Sequence, residues 1–242
     1  MPEAAVLFNP RPQLSVVPLT AGELCVVVDN ALADPHALVA WAATNPTAFQ
    51  PPQGYPYPGL VADAPTRLAQ AMGDFFAVHV RKALGARRTL DTTVRLSMVT
   101  TPPRELEPRQ WQCHRDRVAD DPRAVLFAAS VLYLFNNPAL GGTSFYAPRR
   151  PLAEMLPMLA DSQTLTPQAF SARHGVQPGY MAGSNAHFER VAQVPAAWNR
   201  AIFYDGGLFH SGDVDDPAQL SADPARGRLT LNSFFTCKRN AS

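Results

Sequence analysis

The sequence predicts a mainly β fold, a jelly roll with N-terminal helices packed outside it. Three observations carry this expectation. Proline supplies 24 of 242 residues, about twice its usual share, which favours turns and strand ends over a helical bundle. Beyond residue 90 the chain breaks into short apolar or alternating segments separated by turn residues, the pattern of a β-sandwich or barrel. Helical spacing is found before that point and again in an insertion at about 149–185.

Composition sets the class. A chain of 242 residues suits one domain, 1–242, with a full core. The hydrophobic share is 46% and the charged share 17%, as in globular proteins. A net charge of +1 argues against a nucleic-acid partner held through phosphates. Cys25, Cys113 and Cys237 form an odd set without a CxxC pair, so neither a disulfide scaffold nor a zinc-thiolate knot is expected. No apolar run reaches the roughly 18 residues of a membrane span. The expectation is a soluble cytoplasmic protein with no membrane partner.

The elements follow in order. Residues 1–20 are proline-rich and are expected to run over the surface. Glu23 to Asp29 reads as an apolar strand. Asp34-Pro35 reads as N-cap and first residue of a helix to about Asn45, burying Leu38, Trp41 and Ala42. Residues 50–60, with four prolines and two glycines, read as an irregular connection that can also stand at the mouth of a site. Pro65 to Leu84 has helical spacing through Leu68, Met72, Phe75, Phe76 and Val80, with Gly85 as C-cap and His79 as a packed or surface residue. Strands are expected at Thr92–Thr100, Gln110–Asp116, Ala124–Phe135, Phe188–Val194, Ala201–Tyr204 and Arg228–Thr236, with Gly141–Tyr146 a turn entering another strand. Leu152–Leu159 and Pro167–Arg173, the latter capped by Thr166, read as short helices of the insertion.

The chemistry centres on Gln112-Cys113-His114-Arg115-Asp116. On an extended strand His114 and Asp116 share one face, while Cys113 and Arg115 take the other. A distant segment, Ala201-Ile-Phe-Tyr-Asp-Gly-Gly-Leu-Phe-His210, turns at Asp-Gly-Gly and delivers a second histidine. Two imidazoles and a carboxylate converging from separate segments can fill three adjacent positions of an octahedral Fe(II) and leave three open. In Arg228-Leu-Thr-Leu-Asn232, Arg228, Thr230 and Asn232 share a face opposite Leu229 and Leu231. An arginine in such a strand must be paired, with a protein acid or with a ligand carboxylate.

Together these residues resemble the 2-oxoglutarate/Fe(II)-dependent dioxygenases, most closely the prolyl-4-hydroxylase-like branch, and an uncharacterised bacterial group within it. The resemblance rests on His114-Arg-Asp116, Val131-Leu-Tyr133-Leu, Gly141-Gly-Thr-Ser-Phe145, the turn into His210, and Arg228-Leu-Thr-Leu-Asn-Ser-Phe-Phe235, in the family's order over about 92–237. It implies a double-stranded β-helix in which His114, Asp116 and His210 form the catalytic metal triad. It implies Arg228, helped by Thr230 and Tyr133, as the seat of the distal carboxylate of 2-oxoglutarate. Fe(II), 2-oxoglutarate and O₂ would be the cofactors, and hydroxylation of an amino acid, peptide or small natural product, with release of succinate and CO₂, the reaction. The partner is then a small-molecule or peptide substrate, with a homodimer left open. Two departures accompany the match: the insertion lengthens the path from Asp116 to His210, and Asp213 to Pro224 must loop out to bring Arg228 back.

Alternatives remain at this stage. His187 is a rival distal ligand. Arg95 either faces the pocket and meets an acidic substrate or makes a surface ion pair. Trp198 and Asn199 are read as packing and turn residues. A non-catalytic β-helix for ligand binding or sensing, and a cupin-like metalloenzyme without 2-oxoglutarate, are the competing functions. Ser/His/Asp catalysis lacks a Gly-x-Ser-x-Gly turn, and no phosphate-binding Gly-rich loop is present.

Overall fold

Strand pairing divides the β structure into two antiparallel sheets, seen in a computed structural model that describes residues 8–20 and 22–239. The first half contributes β1 (Gln13–Pro18), β2 (Leu24–Asp29), α1 (Pro35–Thr44), β3 (Gly59–Asp63), α2 (Thr66–His79) and β4 (Ala86–Val99). Then come β5 (Val125–Tyr133), β6 (Thr143–Pro148), α3 (Leu152–Thr164), α4 (Pro167–His174), β7 (Phe188–Val194), β8 (Ala201–Asp205), β9 (Phe209–Gly212) and β10 (Arg228–Arg239).

The larger sheet has the order β1-β2-β8-β5-β10-β4-β3 and the smaller one β7-β6-β9. The segment at His114 joins the smaller sheet through a bridge to His210 on β9. From β4 onward the chain passes to the His114 segment, back to β5, across to β6 and β7, back to β8, across to β9 and finally to β10. That alternation between two facing sheets is a double-stranded β-helix, a mainly β jelly roll with flanking helices.

Period-two alternation explains which core each residue joins. On β8, Ala201 and Phe203 point to the helical side, while Ile202 and Tyr204 point between the sheets. The helical side is an apolar layer in which Leu38 of α1 and Met72 and Phe76 of α2 pack on Phe203, Leu231 and Phe235. A third cluster gathers Met155, Met158 and Phe170 of the insertion against Trp111, Phe188 and Phe209. The insertion therefore seals the flank beside the His114 segment. Asp34 caps α1 by accepting from Ala37 N–H, and Thr166 caps α4 by accepting from Ala169 N–H. Gly142 is obligatory at the start of β6: a Cβ there would lie 2.1 Å from the Val194 carbonyl oxygen.

Several boundaries differ from the sequence expectation. Residues 13–18 do run over the surface, but as an exposed edge strand on β2; residues 1–7 and 21 lie outside the described residues. Gly59 and Leu60, expected to be irregular, begin β3 and pair with Val99 and Met98. Helix α2 ends at His79, and residues 80–84 continue as turns before Gly85 at φ +70°. β4 begins at Ala86 rather than Thr92, and α3 runs on to Thr164. Residues 110–116 are not a regular strand, for a reason given below. Asn199, at φ +60°, is the turn residue ahead of β8 and exchanges two hydrogen bonds with the Leu32 backbone, both 2.9 Å. No helix among the described residues is long and apolar enough to cross a membrane.

Candidate metal centre

His114, Asp116 and His210 come together at one point on the smaller sheet. His114 and His210 exchange backbone hydrogen bonds in both directions at 2.9 Å. A regular antiparallel ladder would then pair Asp116 with residue 208. Instead Asp116 N–H donates to the Gly206 carbonyl at 2.9 Å, because the Asp205-Gly206-Gly207 turn brings that oxygen in first. This slip is why 110–116 forms a bridge and not a strand. The approach is close: a Cβ on Gly206 would sit 3.0 Å from the Phe127 carbonyl oxygen and 3.4 Å from Asp116 Oδ2. Cys113 points the other way, buried at 2% exposure, as alternation requires.

One donor atom from each of the three residues lies within 4.8 Å of the other two. His114 Nε2 is 3.6 Å from Asp116 Oδ1, and His210 Nε2 is 3.4 Å from Asp116 Oδ2. Adjacent ligands held at ~2.1 Å by one ion are about 3 Å apart, so only a small convergence of side chains is needed. His114 can supply it, since its side chain is 56% exposed whereas that of His210 is 5% exposed. His210 Nδ1 donates to the Leu208 carbonyl at 2.9 Å, which fixes the ring so that Nε2 faces Asp116 and His114. Tyr204 packs edge-on against the His210 ring at 4.8 Å and closes its inner side.

The charges favour a cation. Burial opposes ionisation of Asp116, but the two histidines hold its carboxyl well below the usual range. Burial also works against charged His210, yet the Asp116 carboxylate raises its pKa. Two imidazoles and an anionic carboxylate, with no other partner filling the space between them, form an N₂O donor set that suits Fe(II) and related divalent metals.

The cluster opens into a cavity of about 490 Å³ between the sheets. Arg228 lies in its wall, 4% exposed. Its Nε donates to Leu140 O and one Nη to Gly142 O, both at 2.8 Å. Among the described residues no carboxylate lies within ion-pair distance of it. The guanidinium is thus held in place by neutral carbonyls, with the buried Asp213 acting on it only from beyond ion-pair distance. Gly212 makes room for it, since a Cβ there would be 3.1 Å from that Nη. Thr230 lines the same wall and donates to Ser97 O at 3.3 Å.

Tyr133 needs correction. It is wholly buried in the core between the sheets and hydrogen-bonds Thr143 Oγ1 at 2.8 Å. Thr143, not Tyr133, lines the cavity, and the hydroxyl of Tyr133 is taken up by that threonine. A tyrosine that does line it is Tyr57, whose hydroxyl faces Thr230 and Ser97 without a well-aligned hydrogen bond and is pushed up to about 12 by burial. Tyr180, from the stretch after α4, lines it too. Sequence reading missed both; two aromatics inside a Pro/Gly-rich loop were the available signal for Tyr57. His187 is excluded as a ligand here, because its Nε2 bonds the His174 carbonyl at 2.8 Å within the insertion. Arg95 faces the cavity and makes no ion pair, so the surface-pair alternative is set aside.

The chain matches a family of unknown function, DUF6445, over residues 10–235. No curated protein matches it by sequence. Among solved structures it is similar to a Pseudomonas putida prolyl-4-hydroxylase, with 18% identity, 86% of each chain covered and a TM-score of 0.41. It is also similar to HygX from Streptomyces hygroscopicus with nickel and 2-oxoglutarate bound, with 8% identity, 88% of this chain and 82% of that one covered, and a TM-score of 0.47. A third is the non-heme alpha ketoglutarate dependent epimerase SnoN from nogalamycin biosynthesis, with 13% identity, 89% and 80% covered, and a TM-score of 0.45.

Proposed function

The chain belongs to the DUF6445 family, and we propose that it is a 2-oxoglutarate- and Fe(II)-dependent oxygenase that hydroxylates a C–H bond of an amino acid, peptide or small natural product. One observation carries this reading. A three-donor cluster of His114, Asp116 and His210 shares a cavity with a buried arginine that no carboxylate among the described residues meets in an ion pair, although buried Asp213 acts on it from farther off. A metal alone accounts for the first half, and an anionic co-ligand would meet the charge of the second.

His114, Asp116 and His210 would hold a ferrous ion, which when bound would supply oxygen activation coupled to oxidative decarboxylation of 2-oxoglutarate to succinate and CO₂. The chain's own residues set the stage. The Leu208 carbonyl takes the Nδ1 proton of His210, which leaves Nε2 as the nitrogen that faces the metal position, where metal and proton compete for it. Asp116 would supply the one negative charge of the donor set. Arg228, oriented by Leu140 and Gly142, takes the distal carboxylate in its remaining donors, and Thr230 and Thr143 border that seat. Tyr204 and Phe145 shield the His210 side from water. His114 is the exposed member, so substrate is expected from its side of the cavity.

The test is an anaerobic titration with Fe(II) and 2-oxoglutarate. A metal-to-ligand charge-transfer band in the visible is expected, absent in His210→Ala, and slow succinate release in air. Arg228→Met should keep metal binding but weaken 2-oxoglutarate about a hundredfold, ~2.7 kcal/mol. A protein that binds metal with no band and no succinate would be a binding module instead.

A further inference from the structure

The cavity holds a second arginine that the reaction above does not use. Arg95 sits on the inward face of β4, opposite Asn232 of β10. Its guanidinium packs against two rings, with Cζ 4.4 Å from the Tyr55 centroid and 4.7 Å from that of Phe234. Its Nε is buried without a hydrogen-bond partner, and the Asn232 Oδ1 beside it is unpartnered as well. Among the described residues no carboxylate lies within ion-pair distance of Arg95. Asp63, its register partner on β3, is exposed and does not pair with it. Two aromatic rings hold and desolvate a guanidinium without cancelling its charge. A buried, unpaired N–H at a cavity wall is a cost unless a ligand meets it.

Arg228 and Arg95 are therefore two separate cations in one cavity, neither in ion-pair contact with a carboxylate among the described residues. The cosubstrate needs only one of them, since its other end faces the metal. We propose that Arg95 is the seat for a carboxylate of the primary substrate, so that the hydroxylated compound is a small acid or a residue bearing a free carboxylate. The planar guanidinium fork matches a planar carboxylate in two parallel bonds, which favours carboxylate over phosphate. Asn232 accepts an N–H or O–H neighbouring that carboxylate. Tyr55, on the 50–60 loop, covers the seat and ties the loop to substrate. The word substrate here rests on the oxygenase reading; the anion seat itself does not.

The experiment is a binding titration with matched probes on the nickel- and 2-oxoglutarate-loaded protein and, separately, on the metal-free protein. The probes are hippurate and 3-phenylpropionate against their neutral amides, with phenyl phosphate as a further arm. We expect at least one acid to bind ten times or more tighter than its amide. Arg95→Gln should erase that preference while leaving 2-oxoglutarate affinity within about twofold, and Arg95→Lys should restore part of it. Arg88→Gln, exposed on the same strand, should change nothing. Melting curves establish that each variant is folded. The proposal is overturned if no acid is preferred over its amide, if phenyl phosphate binds best, or if Arg95→Gln keeps the preference. It is equally overturned if Arg95→Gln loses 2-oxoglutarate instead, which would make Arg95 part of the cosubstrate seat. Acid preference in the metal-free protein, with no Fe(II)/2-oxoglutarate band, would sink the oxygenase reading and leave this seat standing.

Discussion

The two faces of β10 are built from one run of twelve residues, yet they serve opposite ends. Leu229, Leu231, Phe235 and Cys237 enter the apolar layer under α1 and α2, interrupted only by Ser233. Arg228, Thr230, Asn232, Phe234 and Thr236 line the cavity. The neighbouring strand β4 repeats the division, with Val94, Leu96 and Met98 outward and Thr93, Arg95 and Val99 inward. On the outer face apolar side chains pack on one another, as where Phe76 stacks on Phe235 at 4.0 Å, with the Ser233 hydroxyl the polar exception. On the inner face several polar atoms have no partner, among them Tyr57 Oη, Arg95 Nε and Asn232 Oδ1. The outer face accordingly bears the stability of the fold, and the inner face holds groups whose partners come from outside the chain.

Substitutions that break this division should differ in size and in kind. The largest effect is expected on the outer face. Phe76→Ala should cost about 3–5 kcal/mol in denaturant unfolding. In the fraction that remains folded, metal affinity should be unchanged, because the triad is on the other side of the sheet. Asn232→Leu should act in the reverse sense. It removes an unpartnered acceptor and should raise stability by about 1 kcal/mol, while an equal loss of stability would mean that the inner face is a second core.

The smallest effect, and the sharpest test of the charge arrangement, is pH dependence. In the metal-free protein Asp116 raises the pKa of His210. A pKa raised above the unfolded value of roughly 6.5 contributes stability that is complete below that value and lost as pH climbs through the folded one. Melting temperature of the metal-free protein should therefore fall as pH is raised from about 6 to about 9. His210→Ala should flatten the trend, and saturating divalent metal should invert it, since metal competes with the proton for Nε2. A slope unaffected by His210→Ala would place the titrating group elsewhere.

Much of the centre was legible before any coordinates. The two-residue spacing of His114 and Asp116, the Asp-Gly-Gly turn ahead of His210, and the alternation from Arg228 to Asn232 each foretold what faces the cavity. Tyr133 shows where such reading stops. Its position on β5 told which face it takes, but its depth behind Thr143 depends on how β6 lies across it. Tyr57 shows the same limit from the other side, since nothing local aims a residue of a proline-rich loop at a site.

By itself the sequence determined periodicity and punctuation: which strands exist, which residues share a face, and which side chains bring charge into an apolar environment. These are local properties, set by the pleat and by turn-forming glycine and proline. The tertiary structure alone decided distances between segments about a hundred residues apart. It set the slip that carries Asp116 to Gly206, the carbonyls that orient Arg228, and the rings that hold Arg95. Each of these follows from how two sheets and a loop pack together, and packing across sheets is a property of the whole chain.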